Sequence, residues 1–389
     1  MNLDGSHDEG GGQIVRNGAS YSALLQLPLT IRNIRQKRPK PGLKNQHLAG
    51  IRLVNEITNG KIKGDELHSL QVMLWPSGLQ PTGSSFVADS TTAGAITLLM
   101  QVSFPVLLFC PPPSSPSSTI STQESPNQTV VLKGGTNVNF SPPIDYIIHV
   151  FNPLFTRVFC GGYQRCQIQI DRRGFMAKGG GQVTMTVNSL GSEEHILPAT
   201  LLERGRVTRI GGSIYTAGTL DHSVAIRLKK HVVAFLRKSE YGSIPTLEQD
   251  IVVVHEEGPH GGASGINLWA ETSTGCIFGG GIIGRPRKAS EEDAREACEE
   301  LLRNLRHGGC VDEYFQDMMV IFMALAKGRS QVVTGPLTQH TTTAFHVAKE
   351  MTGVEFSCTR LETLGEMEAG SVAQERYLIE CEGIGLSVK

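Results

Sequence analysis

Three glycine clusters are the first places where this 389-residue chain could do chemistry. They read Glu9-Gly10-Gly11-Gly12-Gln13, Lys133-Gly134-Gly135-Thr136-Asn137 and Lys178-Gly179-Gly180-Gly181-Gln182. Glycine lets backbone N–H groups approach anionic oxygens closely. None of the three is a P-loop or a G-x-G-x-x-G turn. Taken singly, each also fits a tight turn; three in one chain favour a phosphate-rich ligand. A basic segment adds to this: Arg32, Arg35, Lys37, Arg38, Lys40 and Lys44, then Gln46 and His47. Arginine forks suit phosphate oxygens bidentately. Pro39 and Pro41 interrupt the run, which predicts a fixed loop rather than a helix face. It is either a solvated charge run or a patch for polyphosphate or a nucleic-acid backbone. Gln101 is the polar exception in the apolar run Ile96–Val102, where a buried amide needs a partner, whether a core hydrogen bond or a ligand. The 12 histidines include no H-E-x-x-H pair, and His340 and His346 are not spaced for one helical face. No G-x-S-x-G elbow supports a serine hydrolase.

The elements that must carry these residues alternate along the chain. Strands are expected at Leu29–Ile34, Val183–Val187, Arg206–Ile214 and Asp250–His255, with one or two more over Asn267–Phe278. Helices are expected at Gln46–Asn59, Ile96–Val102, Ser223–Leu236, Ser290–Leu305 (capped by Ser290, with Asp293 at its third position) and Asp312–Ala326. This reads as α/β or α+β layers, in about two to three domains. Residues 111–128 are dominated by proline and serine, without periodicity, and predict a flexible loop.

Composition excludes several classes. Lys+Arg total 36 and Asp+Glu 37, so a net charge of −1 argues against bulk coating of nucleic acid while leaving room for a local basic groove. No apolar run is long enough for a membrane span. Met1–Gly12 is polar and glycine-rich and does not look like a secretory leader, so a non-secreted protein is expected. The eight cysteines form no C-x-x-C pair, which predicts free buried thiols and no structural zinc. The sequon at Asn127 is then expected to stay unused.

Taken in order, these segments resemble the RNA 3′-terminal phosphate cyclase family over nearly the whole chain. The strings that carry the resemblance are DG at Asp4-Gly5, EGGGQIVR at Glu9–Arg16, IRQKRPKPGLKNQHL at Ile34–Leu48 and TTAGAITLLMQ ending at Gln101. LKGGTN ends at Asn137, IDY is Ile144–Tyr146 and RGFMAKGGGQV ends at Val183. ERGRV begins at Glu203; AETSTGC ends at Cys276; LRHGGCVDEYFQD ends at Asp317; MALAKG ends at Gly328; and TGPLTQHTTTAFH ends at His346. The resemblance implies an α/β (α+β) fold: a large domain of three repeated βαβαββ-like units, related to enolpyruvyl transferases, over 1–188 and 307–389. A smaller α/β domain of thioredoxin-like topology is implied over 189–306.

The resemblance also implies chemistry. His340 matches the family nucleophile, which attacks the α-phosphorus of ATP and becomes a histidine–AMP phosphoramidate. AMP then passes to an RNA 3′-phosphate, and the neighbouring 2′-hydroxyl closes a 2′,3′-cyclic phosphate and expels AMP. Glu9 matches the ligand of a divalent metal, Mg²⁺ or Mn²⁺. Arg16, Arg35 and Arg38 match the arginines that hold triphosphate and RNA 3′-phosphate, and Gln46 a polar residue of the same pocket. Gln101, Pro142, Tyr314 and Asp317 match nucleotide-contacting positions. The implied partners are ATP and RNA ending in a 3′-phosphate, and the similarity to animal nuclear forms implies a nuclear protein, with the cytoplasm as the alternative. The chain departs from the family pattern at Met318, where glutamine is usual, at Lys37 in place of glycine, and at Met176-Ala177 in place of Tyr-Pro. Its proline–serine loop is also longer. A cyclase-like, non-catalytic factor of ribosome biogenesis is the alternative, but that branch lacks the histidine in its L-T-Q-H context and the intact EGGGQ and QHL strings. Enolpyruvyl transferases share repeat architecture only.

Overall fold

The computed structural model describes residues 1–8, 10–111, 127–257, 262–284, 291–361 and 375–388. Glu9, Ser290 and most of the proline–serine loop lie outside the described residues, and with them the expected metal ligand, helix cap and flexible loop.

Among the described residues the chain is mixed α/β, built on four small sheets. The first segment runs β1 (Asn2–Asp4), α1 (Gln13–Leu25), β2 (Leu29–Arg32), α2 (Asn45–Ile57), β3 (Lys61–Lys63) and β4 (Val72–Trp75). Its sheet has the order β1-β2-β4-β3, with β1 parallel to β2 and β4 antiparallel to both β2 and β3. The second runs β5 (Ser85–Asp89), α3 (Ile96–Leu108), β6 (Gln128–Gly134), α4 (Ile144–Tyr146), a π-helical turn (Ile147–Phe151), α5 (Asn152–Phe159), β7 (Cys166–Arg172) and β8 (Gly181–Val187). Its sheet, β5-β6-β8-β7, has the same sequence of pairings.

Next come β9 (Thr200–Leu201), β10 (Val207–Gly218), α6 (His222–Arg237), α7 (Leu247–Asp250), β11 (Ile251–Glu256), β12 (Gly262–Thr272), β13 (Ile277–Ile283) and α8 (Glu291–Arg306). Strands β10 to β13 form a separate sheet of order β11-β10-β12-β13, backed by α6 and α8. The chain closes with α9 (Glu313–Met318), α10 (Val320–Leu325), β14 (Lys327–Thr334), α11 (Gln339–Thr352), β15 (Ser357–Leu361) and β16 (Arg376–Ile384). Here β9 pairs parallel with β14 and β16 pairs antiparallel with β14 and β15, so this sheet repeats the connectivity of the first two.

Local sequence explains the elements that matter for function. Helix α3 is apolar on every side and buried except at Gln101, as a helix between two layers must be. Pro105 sits inside it and withholds the N–H that would bond the Gln101 carbonyl four residues earlier. The strand expected over Leu29–Ile34 stops at Arg32, because Asn33 and Arg35 take left-handed backbone, with φ of 54° and 53°. That turn launches the basic segment, which is a loop pinned by backbone bonds from Ile34 N–H to Leu70 O (3.0 Å), Gly42 N–H to Ile34 O (2.8 Å) and Leu43 N–H to Ser69 O (3.0 Å). The helix expected over Asp312–Ala326 is two, α9 and α10, which meet at Met319. Asn267–Phe278 resolves into β12 and β13 across a tight turn. All eight cysteines are free thiols, six of them buried.

The core is continuous across these segments. Its aromatic centre joins α3 to α5 and α10: Phe155 meets Phe104 edge-on at 5.0 Å and Phe322 at 4.6 Å. No described helix is long and apolar enough to cross a membrane.

Candidate active site

Helix α1 begins directly after Gly10-Gly11-Gly12, and the reason for glycine at its first turn is crowding. A Cβ on Gly12 would lie 2.3 Å from His47 Nε2 and 3.1 Å from Arg16 Nη1. The bare backbone therefore lets three polar side chains converge on the α1 N-terminus: Gln13, Arg16 and, from α2, His47. Gln13 is 3% exposed, so its amide must be satisfied by protein. Its Nε2–H donates to Asp317 Oδ2 at 2.9 Å. That turns Oε1 toward His340 Nδ1, also at 2.9 Å. An amide oxygen only accepts, so His340 carries a proton on Nδ1 and, in its neutral form, keeps the lone pair on Nε2.

The two ends of this relay are held by separate devices. His340 lies in the first turn of α11, where Thr338 Oγ1 accepts from Thr341 N–H at 3.1 Å. Buried Gln316 fixes that turn: Oε1 accepts from Thr338 N–H (3.1 Å) and Thr341 Oγ1–H (2.6 Å), and Nε2–H donates to Pro336 O (3.2 Å). Gln316 and Asp317 are neighbours on α9, so one short helix orients both the turn and the relay. The helix is anchored by Asp312, whose carboxylate caps Phe315 N–H at 2.8 Å and accepts from Tyr146 Oη–H and Gly279 N–H, each at 2.7 Å. Burial pushes the Asp317 carboxyl up to about 7, against the opposing Arg16 charge and the Gln13 hydrogen bond.

Cations dominate the other side. Arg16 donates from Nε to Gln101 Oε1 at 3.2 Å, which joins α1 to α3. Burial, followed by Arg16, Arg35 and Lys44, pushes His47 down to about 3, so its ring is neutral at physiological pH. His47 Nδ1 accepts from Lys44 N–H at 3.1 Å, which places its ring proton on Nε2, facing Gly12. Gln46 Oε1 accepts from Ala95 N–H at 3.1 Å and so ties α2 to the start of α3. Arg35 donates to Lys40 O at 2.9 Å within the basic loop.

The structure thus brings His340, Asp317, Arg16 and Gln101 together around Gln13. Gln101, Asp317, Gln13 and Met318 also line a small cavity of about 30 Å³, otherwise walled by apolar groups such as Phe104 and Ile321. Tyr314 lies one helical turn before Asp317 and faces a second cavity of about 190 Å³. Pro142 is buried, with its carbonyl accepting from Thr97 Oγ1–H at 2.8 Å; Ser141 and Pro143, not Pro142, line that cavity. Among the described residues, no group of three or more His, Cys, Asp and Glu could hold a metal. In the sequence Gln13 and His47 stand out only as the ends of the opening glycine cluster and of the basic run, and Gln316 only as a member of the string that ends at Asp317.

The profile of the RNA 3′-terminal phosphate cyclases matches residues 7–358, a span that contains Gln13, Asp317 and His340. A "Probable RNA 3'-terminal phosphate cyclase" of Dictyostelium discoideum is 38% identical over 387 residues, covering 98% of this chain and 82% of its own. An "RNA 3'-terminal phosphate cyclase" of Drosophila melanogaster is 32% identical over 388 residues, covering 99% and 97%. One of Pyrobaculum neutrophilum is 33% identical over 385 residues, covering 99% of both chains. With a matched profile over most of its length and relatives aligned end to end, the chain belongs to the RNA 3′-terminal phosphate cyclase family.

Proposed function

We propose that this protein converts an RNA 3′-terminal phosphate to a 2′,3′-cyclic phosphate at the expense of ATP, through His340. The observation that carries the reading is the Gln13 relay. Its amide oxygen holds the proton of His340 on Nδ1 and so favours Nε2 as the attacking atom. Nε2 forms a bond to the α-phosphorus of ATP, and the bond to pyrophosphate breaks. An oxygen of the RNA 3′-phosphate then takes the adenylyl group and releases the imidazole. The 2′-hydroxyl attacks the activated phosphorus, loses its proton, and expels AMP. Adenylylation makes sense physically: a phosphate oxygen leaves poorly, and AMP leaves well.

Arg16, Arg35 and Arg38 hold triphosphate and RNA phosphate in this reading, and their fixed charge stabilises the charge that develops in transfer. Neutral His47 offers its Nε2–H at the α1 N-terminus, alongside those arginines. Gln101, Pro142, Tyr314 and Asp317 contact the nucleotide, and Gln46 shapes the same pocket. Glu9 is proposed as a divalent-metal ligand. A single carboxylate is enough where substrate phosphates complete the coordination of Mg²⁺ or Mn²⁺, and the metal would supply charge neutralisation there.

The shared connectivity of three sheets supports a division into three βαβαββ-like units, related to enolpyruvyl transferases, with a thioredoxin-like unit inserted before the last of them. The pairing of β9 with β14 favours an insertion that starts near Leu202 rather than Ser189. Nuclear residence is part of the proposal, tested by imaging the tagged chain. The central test is covalent labelling. Incubation with α-labelled ATP is expected to label the chain with acid-labile, alkali-stable AMP, and His340→Ala is expected to abolish the band without unfolding the protein. A band that survives in the variant overturns the reading.

A further inference from the structure

The cavity of about 190 Å³ is built by two parts of the chain that lie far apart in sequence. One wall is the loop Val138–Pro143 with Tyr146 and Tyr314; the other is β12, β13 and α8 of the segment between β9 and β14. Three features suit it to a flat aromatic ligand. Tyr314 and Tyr146 stand edge to face at 5.2 Å, and Trp269 closes the far side, stacked on His149 at 4.1 Å. Phe140 sits at left-handed φ of 63° and is 102% exposed, which keeps a ring in solvent beside the cavity. The run Gly279-Gly280-Gly281 seats β13 tightly: added Cβ atoms would lie 2.5 Å from Tyr146, 2.5 Å from Leu301 and 2.3 Å from Ile266 O.

Within these walls is one group able to read a base edge from α8. Glu300 Oε2 accepts from Gly281 N–H at 3.2 Å. Glu300 also lines the cavity and lies close enough to Tyr314 to help raise the phenol's pKa. We propose that this cavity takes the purine base of the nucleotide and that Glu300 is its specificity-determining residue, donating a hydrogen bond to N1 of adenine. The proposal rests on the reading that Tyr314 contacts nucleotide, and it extends the pocket to residues of the segment between β9 and β14. Burial pushes the Glu300 carboxyl up to about 7, against the Gly281 hydrogen bond and with help from Glu313, so the acid form is available at neutral pH. With Oε2 occupied as an acceptor, the acid carries its proton on Oε1. Adenine meets that donor with the N1 lone pair; guanine presents N1–H, and two donors oppose each other.

Trp269 supplies the readout. The only other tryptophan, Trp75, lies in β4 and is removed as Trp75→Phe, so that Trp269 fluorescence alone reports occupancy. The full chain is titrated with ATP, GTP and 1-deaza-ATP, which lacks the N1 acceptor. ATP is expected to quench Trp269 and to bind about tenfold more tightly than either of the others. Glu300→Ala and Glu300→Leu are expected to bring ATP and GTP to within about threefold, by weakening ATP. Glu300→Gln is expected to keep the ATP preference, because its amide N–H replaces the acid O–H. The proposal is overturned if ATP leaves Trp269 unquenched, if 1-deaza-ATP binds as well as ATP, or if the apolar variants keep full selectivity. The analogue arm decides the matter even if a variant does not fold. Quenching with normal selectivity but no covalent label would sink the His340 reading and spare the pocket; labelling with unaltered selectivity in Glu300→Ala would do the reverse.

Discussion

The two halves of the site are held in opposite ways. Around His340 the fixing is done by side chains: Gln13 bridges His340 to Asp317, and Gln316 ties the α11 turn to α9. In the basic loop it is done by backbone: Ile34, Gly42 and Leu43 bond across the loop, while Arg35 and Arg38 stay half-buried at its surface. A nucleophile needs one tautomer and one direction, which takes hydrogen bonds to named atoms. Phosphate binding needs charge at roughly the right place, which a pinned loop with long cationic side chains supplies. Damage to the two halves should therefore differ in kind.

The largest effect is expected at the relay. Gln13→Leu keeps the volume, removes the acceptor of Nδ1–H, and leaves Asp317 without its amide donor. The rate of covalent labelling is expected to fall about 10²-fold at saturating ATP, with ATP affinity changed far less. A change in affinity alone would show that Gln13 binds nucleotide and does not position His340.

The charged loop should respond in binding and in salt dependence. Arg38→Ala is expected to weaken the apparent affinity for an RNA 3′-phosphate end about ten- to hundredfold, from a lost charge-assisted hydrogen bond of about 1.5–3 kcal/mol. Labelling by saturating ATP should persist, and the dependence on added salt should become shallower. Equal losses in labelling and RNA binding would break the contrast.

Asp317 tests the cost of the relay. Its folded pKa of about 7 lies above the ordinary aspartate value of 3.8. The folded state therefore holds the proton more tightly than the unfolded chain, so this group favours folding at low pH. That advantage is lost as pH rises from the unfolded value through about 7. Asp317→Asn should raise Tm more at pH 8 than at pH 5, while labelling declines. An equal or smaller gain at pH 8 would mean the carboxylate is better compensated than its burial implies.

The smallest effect concerns Met318, which is buried and lines the small cavity beside Gln101 and Asp317. Met318→Gln should tighten ATP about two- to tenfold if its amide reaches the nucleotide. Unchanged or weaker binding would show that the methionine belongs to the apolar wall with Phe104 and Ile321.

Much of this was legible in the chain itself. The all-apolar α3 with its one glutamine, the loop forced by Pro39 and Pro41, and the alternation of strands and helices follow from periodicity and backbone preference, which act over a few residues. The order of a dozen short motifs was enough for the family. Boundaries were less legible: β2 ends early because two non-glycine residues turn left-handed, and the helix after Asp312 divides at Met319 without any Gly or Pro to announce it.

Only tertiary structure decided which polar groups meet. Gln13 lies 327 residues from His340 and 304 from Asp317, and nothing in a glutamine after three glycines says which atoms its amide will bridge. Glu300 belongs to a charged amphipathic helix whose acidic face reads as solvated, yet packing of α8 against β13 carries its carboxyl into a cavity wall. The two-residue β9 became a strand only through β14, whose paired residues lie 131 positions later. Local pattern sets which face of an element is buried; a hydrogen bond between distant side chains depends on how elements pack, and that information is not held in either neighbourhood alone.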